Sequence, residues 1–195
     1  DFSIIDGLAQ RRPLCVFNLV EAIEGNAGLA HIAPALFDHY KLSYTGADAQ
    51  TWGTTLNKSD VKTRIVAEGL PTPAWSLDGC GLNGTDRVII KSLVEHASFG
   101  IDSESVVNAA DAATEIRARQ IRYGGTFFAE TFIDGREFNI SIIEGADGPI
   151  VLPPAEILFA ESSDDRPRIV DYAAKWESRS DAYINTPRTF NFPIK

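Results

Sequence analysis

The sequence contains no methionine, two cysteines and three histidines in 195 residues, and it is short of basic side chains. Each shortage excludes something. With 18 Lys and Arg against 27 Asp and Glu, the net charge is -9, the wrong sign for general nucleic-acid binding or for an anionic membrane surface. A local phosphate site survives this argument, because a few lysines and backbone N–H groups can reverse the field inside one cleft. Cys15 and Cys80 form no CxxC, and no Cys/His spacing suits zinc. Cys15 lies in the apolar run Leu14-Cys15-Val16-Phe17 and is expected as a buried free thiol, which points to a reducing compartment. His31, His39 and His96 have no metal spacing; the first two read as helix-surface or satisfied core residues. No apolar run reaches membrane-spanning length, and no signal-peptide pattern opens the chain. No GxSxG or Walker loop occurs. The glycosylation-type triplets at Asn57, Asn83 and Asn139 read as chance matches. The missing methionine, and an end at Phe192-Pro193-Ile194-Lys195 without a closing element, lead us to expect a fragment at both ends.

What is present is a mixture of helical and extended patterns. Leu14-Cys15-Val16-Phe17-Asn18-Leu19-Val20 reads as a buried strand. A helical pattern covers about 29–40. Ser59 can cap a helix running to Glu68, with Gly69 as its stop and Pro71 and Pro73 beyond. Arg87-Val88-Ile89-Ile90-Lys91 reads as a strand and 111–123 as a helix closed by Gly124-Gly125. Strands are expected over 127–130 and 137–143, with Asp134-Gly135 as a hairpin-like turn between them. Residues 150–152 and 155–159 look extended, and 162–167 a solvated loop. Helices mixed with antiparallel pairs give an α+β or mixed α/β class.

Several residues carry possible chemistry. Gly79-Cys80-Gly81-Leu82-Asn83-Gly84 fits GxGxxG, but the dinucleotide fingerprint needs a strand before it and a helix after it. Here a Pro-containing segment precedes and a strand follows, so it reads as a connection. Lys91 ends an apolar strand, where a lysine either emerges into solvent or meets an anion. The loop after it, Ser92-Leu93-Val94-Glu95-His96-Ala97-Ser98-Phe99-Gly100, could fold backbone N–H groups around a phosphate. Lys58 opens a helix, mildly unfavourable for a cation unless a phosphate sits there too. Glu130 and Glu137 flank a turn. They are either solvated edge carboxylates or acceptors for an adenine amine and ribose hydroxyls. Lys175, in Asp171-Tyr172-Ala173-Ala174-Lys175-Trp176-Glu177, says little alone.

In order and spacing these residues resemble the D-alanine–D-alanine ligase group of the ATP-grasp superfamily. The likeness runs from Val16-Phe17-Asn18-Leu19 through Tyr44-Thr45-Gly46, Lys58 and Leu70-Pro71-Thr72-Pro73. It continues through Val88-Ile89-Ile90-Lys91 with its loop, and Glu130-Thr131-Phe132-Ile133-Asp134-Gly135-Arg136-Glu137. It ends with Leu152-Pro153-Pro154-Ala155-Glu156-Ile157 and Tyr172-Ala173-Ala174-Lys175-Trp176. The resemblance implies that Lys58 and Lys91 hold the ATP phosphates and that the loop carrying Glu95, His96, Ala97, Ser98 and Gly100 closes over them. It implies Glu130 at the adenine, Thr131 and Ile133 as backbone contacts to the ring, Glu137 at the ribose, and Lys175 as a mobile-loop lysine reaching the transferred phosphate. Lys91 and Lys175 are thus the expected catalytic residues. Ala97 stands where the ligases often have serine, and Glu21 near where they place a histidine by the first substrate. Both departures suggest a divergent subgroup.

The implied fold is a partial ATP-grasp fold. Residues 1–52 would be the remainder of an N-terminal pre-ATP-grasp domain, 53–138 the central subdomain and 139–195 the start of the C-terminal subdomain. The implied cofactors are ATP and Mg²⁺, with no metal ligand in this chain and the main ligands expected beyond Lys195; Glu156 and Asp171 read as ordinary carboxylates. The implied activity of the complete enzyme is carboxylate–amine ligation through an acyl phosphate, with the fragment inactive alone. The alternatives are an ATP-grasp kinase and a non-catalytic ATP-binding module. Expected partners are ATP and small carboxylate and amine substrates of the amino-acid class, without nucleic acid or membrane. A homodimer stays open, and the expected location is cytoplasmic.

Overall fold

The computed structural model describes residues 3–160 and 167–193. The chain divides into two compact units, one of residues 1–72 with 92–96, the other of 73–91 with 97–195.

The first unit is helical. It contains α1 (Ser3–Gln10), α2 (Ile32–His39), α3 (Ala49–Leu56) and α4 (Lys58–Ala67). Asp48 caps α3 by accepting from the Thr51 amide at 2.7 Å. Asn57, not Ser59, caps α4: its side chain accepts from the Ser59 amide and hydroxyl, both at 2.9 Å. Asparagine outcompetes a serine two residues later because its carbonyl reaches the second amide of the turn. Gly69 follows the helix end with φ +71, the expected left-handed stop. The expected strand at 14–20 does not form among the described residues. Only Val16 makes a bridge, to Tyr44. Leu14 is 97% exposed, and Cys15 is exposed rather than buried. An apolar run becomes a strand only where a ladder partner exists, and here one residue has one.

The second unit contains β1 (Trp75–Ser76), β2 (Arg87–Ser92), β3 (Val106–Asn108), α5 (Ala112–Tyr123) and β4 (Phe127–Thr131). It continues with β5 (Glu137–Asn139), β6 (Ile142–Gly145), β7 (Gly148–Val151), β8 (Ala155–Ile157), α6 (Tyr172–Trp176), α7 (Asp181–Ile184) and β9 (Arg188–Thr189). The first four strands form a sheet in the order β1-β4-β2-β3. Its core joins Val88 and Ile90 of β2 and Phe127 and Ala129 of β4 to Ala112 and Ile116 of α5. Side chains alternate across a strand, so Ile89 and Lys91 face the other way.

The expected hairpin over 127–143 is not one. β4 belongs to the four-stranded sheet, whereas β5 pairs antiparallel with β8, which also pairs with β9. The Phe132 amide instead donates to the Arg87 carbonyl at 2.9 Å. Arg136 grips Glu156 of β8 with two bonds of 2.6 and 2.8 Å. These tertiary partners override a local Asp-Gly turn signal. The strand expected over 137–143 is two, broken at Ile140 and Ser141, and the second pairs with β7 as a separate hairpin. Of the expected loop at 162–167, residues 162–166 lie outside the described residues, as do Ile194 and Lys195 of the chain end. The architecture is mixed α+β.

Candidate functional site

β2 and β4 are neighbours, and each carries a charge at its penultimate residue. Lys91 and Glu130 form a direct ion pair there, with Glu130 nearly buried. In the second unit they line a cavity of about 300 Å³ together with Thr131, Ile133, Glu137, Ser98 and Lys175. That volume is at the lower end for small-molecule sites. Ile89, Ile101, Phe132, Ile169 and Arg168 complete much of its wall. Apolar flanks with convergent carboxylates and ammonium groups suit a flat heterocycle carrying a polar, anionic tail.

Burial pushes the Glu137 carboxyl above its ordinary range, while Lys175 and Lys91 pull it down. Both lysines therefore act on Glu137 electrostatically. The Thr131 amide donates to the Ala74 carbonyl at 2.8 Å, which ties the end of β4 to the segment before β1. Lys175 sits on the five-residue helix α6, capped by Asp171, whose side chain accepts from the Ala174 amide at 2.8 Å.

The loop after Lys91 crosses between the units. Ala97, Ser98 and Gly100 belong to the second, and all three have left-handed backbone, with φ 57, 61 and 64. The Ser98 hydroxyl donates to the Val170 carbonyl at 2.7 Å, and the Trp176 indole donates to the Ala97 carbonyl at 3.0 Å. Glu95 and His96 belong to the first unit. There Lys58 Nζ donates to the Glu95 carbonyl at 2.6 Å. His96 packs edge-on against Trp52 with ring centroids 5.8 Å apart. His96 Nε2 is buried without a hydrogen-bond partner among the described residues. Burial and the charge of Lys58 lower the His96 pKa, opposed by Glu95 and Glu21. Glu21, Trp52 and His96 line a cavity of about 450 Å³.

Sequence reasoning missed Ile89, Ile101, Ile169 and Arg168. Ile89 was readable in principle: two residues from Lys91 on one strand, it shares Lys91's face. The other three come from distant loops with no local signal. Glu156 and Asp171 both have structural partners, in the Arg136 pair and the α6 cap. Among the described residues no group of three or more His, Cys, Asp and Glu is arranged to hold a metal ion, and no helix is long and apolar enough to cross a membrane.

No protein-family model matches the chain. An uncharacterized protein, y4sG, of Sinorhizobium fredii is 30% identical over 178 residues, covering 89% of this chain and 50% of that protein. The D-alanine–D-alanine ligase of Xylella fastidiosa is 29% identical over 194 residues, covering 93% and 59%. The chain thus spans about half the length of the curated relatives it matches. The D-alanine–D-alanine ligase of Bacillus anthracis complexed with ATP superposes with a TM-score of 0.65 at 15% identity, over 99% of this chain and 57% of that one. These likenesses show an ATP-grasp fold, present in part. In sequence and in fold the chain is thus similar to part of the D-alanine–D-alanine ligases.

Proposed function

We propose that the complete protein is an ATP-dependent carboxylate–amine ligase acting on amino-acid-class substrates in the cytoplasm. The observation that carries this reading is the convergence of Lys91, Glu130, Glu137 and Lys175 on one cavity. In this reading the apolar wall takes the adenine. Glu130 and the Thr131 carbonyl accept from its amine, Ile133 offers backbone to the ring, and Glu137 accepts from the ribose hydroxyls. Lys91 neutralises the phosphates, with Lys58 a further candidate on the order of motifs alone, and Lys175 follows the phosphoryl group in transfer. Ala97, Ser98 and Gly100 border the phosphates with backbone, and Glu95 and His96 belong to the same loop by sequence. By function the chain divides at residues 52 and 138, into substrate, central and C-terminal parts.

The chemistry follows from the poor electrophilicity of a carboxylate. A carboxylate oxygen attacks the γ-phosphorus of ATP, ADP leaves, and the resulting acyl phosphate is attacked by a neutral amine. The amide forms, the amine loses a proton and phosphate departs. The protein's part is positioning and charge neutralisation, together with exclusion of water from the acyl phosphate. Mg²⁺, when bound, would supply further neutralisation of the charge that develops on the phosphates. Glu156 and Asp171 do not fit as its ligands, because Arg136 and the α6 cap already engage them.

The test is calorimetry with ATP and Mg²⁺, followed by product analysis with candidate acids in the presence and absence of amines. ATP binding with amine-dependent ADP release and an amide product is expected. A stable phosphorylated product without amine would make it a kinase, and binding without turnover a nucleotide-binding module. No ATP binding would remove the reading altogether.

A further inference from the structure

Arg119 is 2% exposed, the largest fully buried side chain described. It lies three residues after Ile116 on the core face of α5, where packing alone would be served by leucine. Burying a guanidinium is costly unless its donors are matched. Here they are. Arg119 donates to Glu115 at 2.7 Å, to Asp102 at 2.7 Å, and in a short contact to the Gly100 carbonyl. Asp102 is itself fixed, accepting from the Glu104 amide at 3.0 Å and from the Ser105 hydroxyl at 3.3 Å. Gly100 leaves little room for a side chain: its φ is +64, and a Cβ there would lie 3.1 Å from the Phe127 ring.

What this fixed point supports is the run before it. Ala97 and Ser98 are non-glycine residues in left-handed backbone, a strained conformation that persists only where its surroundings over-determine it. The bonds from Trp176 and Ser98 hold one side of the run. Arg119 holds its C-terminal foot. We propose that Arg119 is the positioning residue of the 97–100 loop, holding the Gly100 carbonyl so that Ala97 and Ser98 keep their left-handed conformation. Its consequence for nucleotide binding rests on the function proposed above; the positioning itself does not.

The experiment compares Arg119→Lys, Arg119→Met and Glu115→Gln by amide hydrogen exchange and ATP calorimetry. Lysine keeps the charge but cannot reach several acceptors from one rigid fork, and methionine keeps most of the packing. The Ile101 amide, which donates to the Ser98 carbonyl at 3.0 Å, is the reporter. Both Arg119 variants should exchange Ile101 at least tenfold faster, beyond any change in the β2–β3 ladder, and weaken ATP at least tenfold. Glu115→Gln, which spares the Gly100 contact, should leave both within about twofold. The proposal is overturned if exchange rises uniformly across the unit, or if Glu115→Gln matches the Arg119 variants. It is also overturned if both Arg119 variants fail to fold cooperatively while Glu115→Gln folds, since Arg119 would then be a general core anchor. A wild type that binds no ATP would sink the ligase reading, and the exchange data alone would decide this one.

Discussion

Lys91 and Glu130 neutralise one another at adjacent strand ends, so neither can be tested alone. Lys91→Ala removes a partner from a nearly buried carboxylate, which destabilises the fold independently of any ligand. We expect it to weaken ATP binding at least tenfold, or about 1.4 kcal/mol. The double variant Lys91→Ala/Glu130→Gln should recover stability without recovering affinity. Recovery of both in calorimetry would mean that Lys91 serves only the ion pair. Glu137 makes a complementary prediction. Its folded-state pKa is raised by burial. Its contribution to stability is therefore fully present below the ordinary carboxylate range and is lost as pH rises through the raised value. Glu137→Gln should be more stable than wild type near neutral pH, with the advantage closing toward pH 4 in urea unfolding. The same variant should bind ATP more weakly, with a smaller effect on a 2′,3′-dideoxy analogue, because the charge-assisted bond needs a hydroxyl. A carboxylate that destabilises the free protein and improves a complex is placed for a ligand. Equal loss for both nucleotides would detach Glu137 from the ribose.

At the scale of elements, β2 was legible because its five apolar and charged residues leave no helical alternative, and its alternation sorts core from cavity. α5 was legible from its period and its Gly124-Gly125 stop. The pairing of β5 was not, because its partners β8 and β9 lie far along the chain. Nor was the helix that carries Lys175, since five residues give no period. That helix depends on its cap. Asp171→Ala should cost about 1 kcal/mol and loosen Lys175, whereas Asp171→Asn keeps a good capping oxygen and should be nearly silent. If asparagine were as damaging as alanine to ATP binding, Asp171 would have a charged role beyond the cap. The GxGxxG match is likewise an element-scale feature. Gly79 has φ +82, and a Cβ there would lie 2.5 Å from the Ala113 nitrogen at the start of α5. Gly79→Ala should therefore cost well over about 1 kcal/mol. Gly84→Ala, in open space without positive φ, should be nearly neutral. Comparable losses in thermal unfolding would contradict the packing explanation.

At the scale of the molecule, the proposed nucleotide residues fall in both units, Lys58 in one and Lys91, Glu130, Glu137 and Lys175 in the other. The order of motifs along a chain does not say which compact unit a residue joins. The tryptophans separate the two. Trp52 belongs to the first unit, while Trp75 and Trp176 belong to the second. In variants retaining only Trp52 or only Trp75, fluorescence reports one unit at a time. Trp75 serves better than Trp176, whose indole is bonded within the loop under study. A ligand that binds only the folded state stabilises it by about 2.7 kcal/mol at one hundred times its Kd. We expect ATP to raise the transition seen by Trp75 by that amount in Mg²⁺ buffer. If Lys58 also holds phosphate, ATP raises the Trp52 transition too, and Lys58→Ala diminishes that shift more than the one seen by Trp75. A Trp52 transition indifferent to ATP, beside a Trp75 transition that responds, would remove Lys58 from the site and leave the adenine and ribose assignments standing.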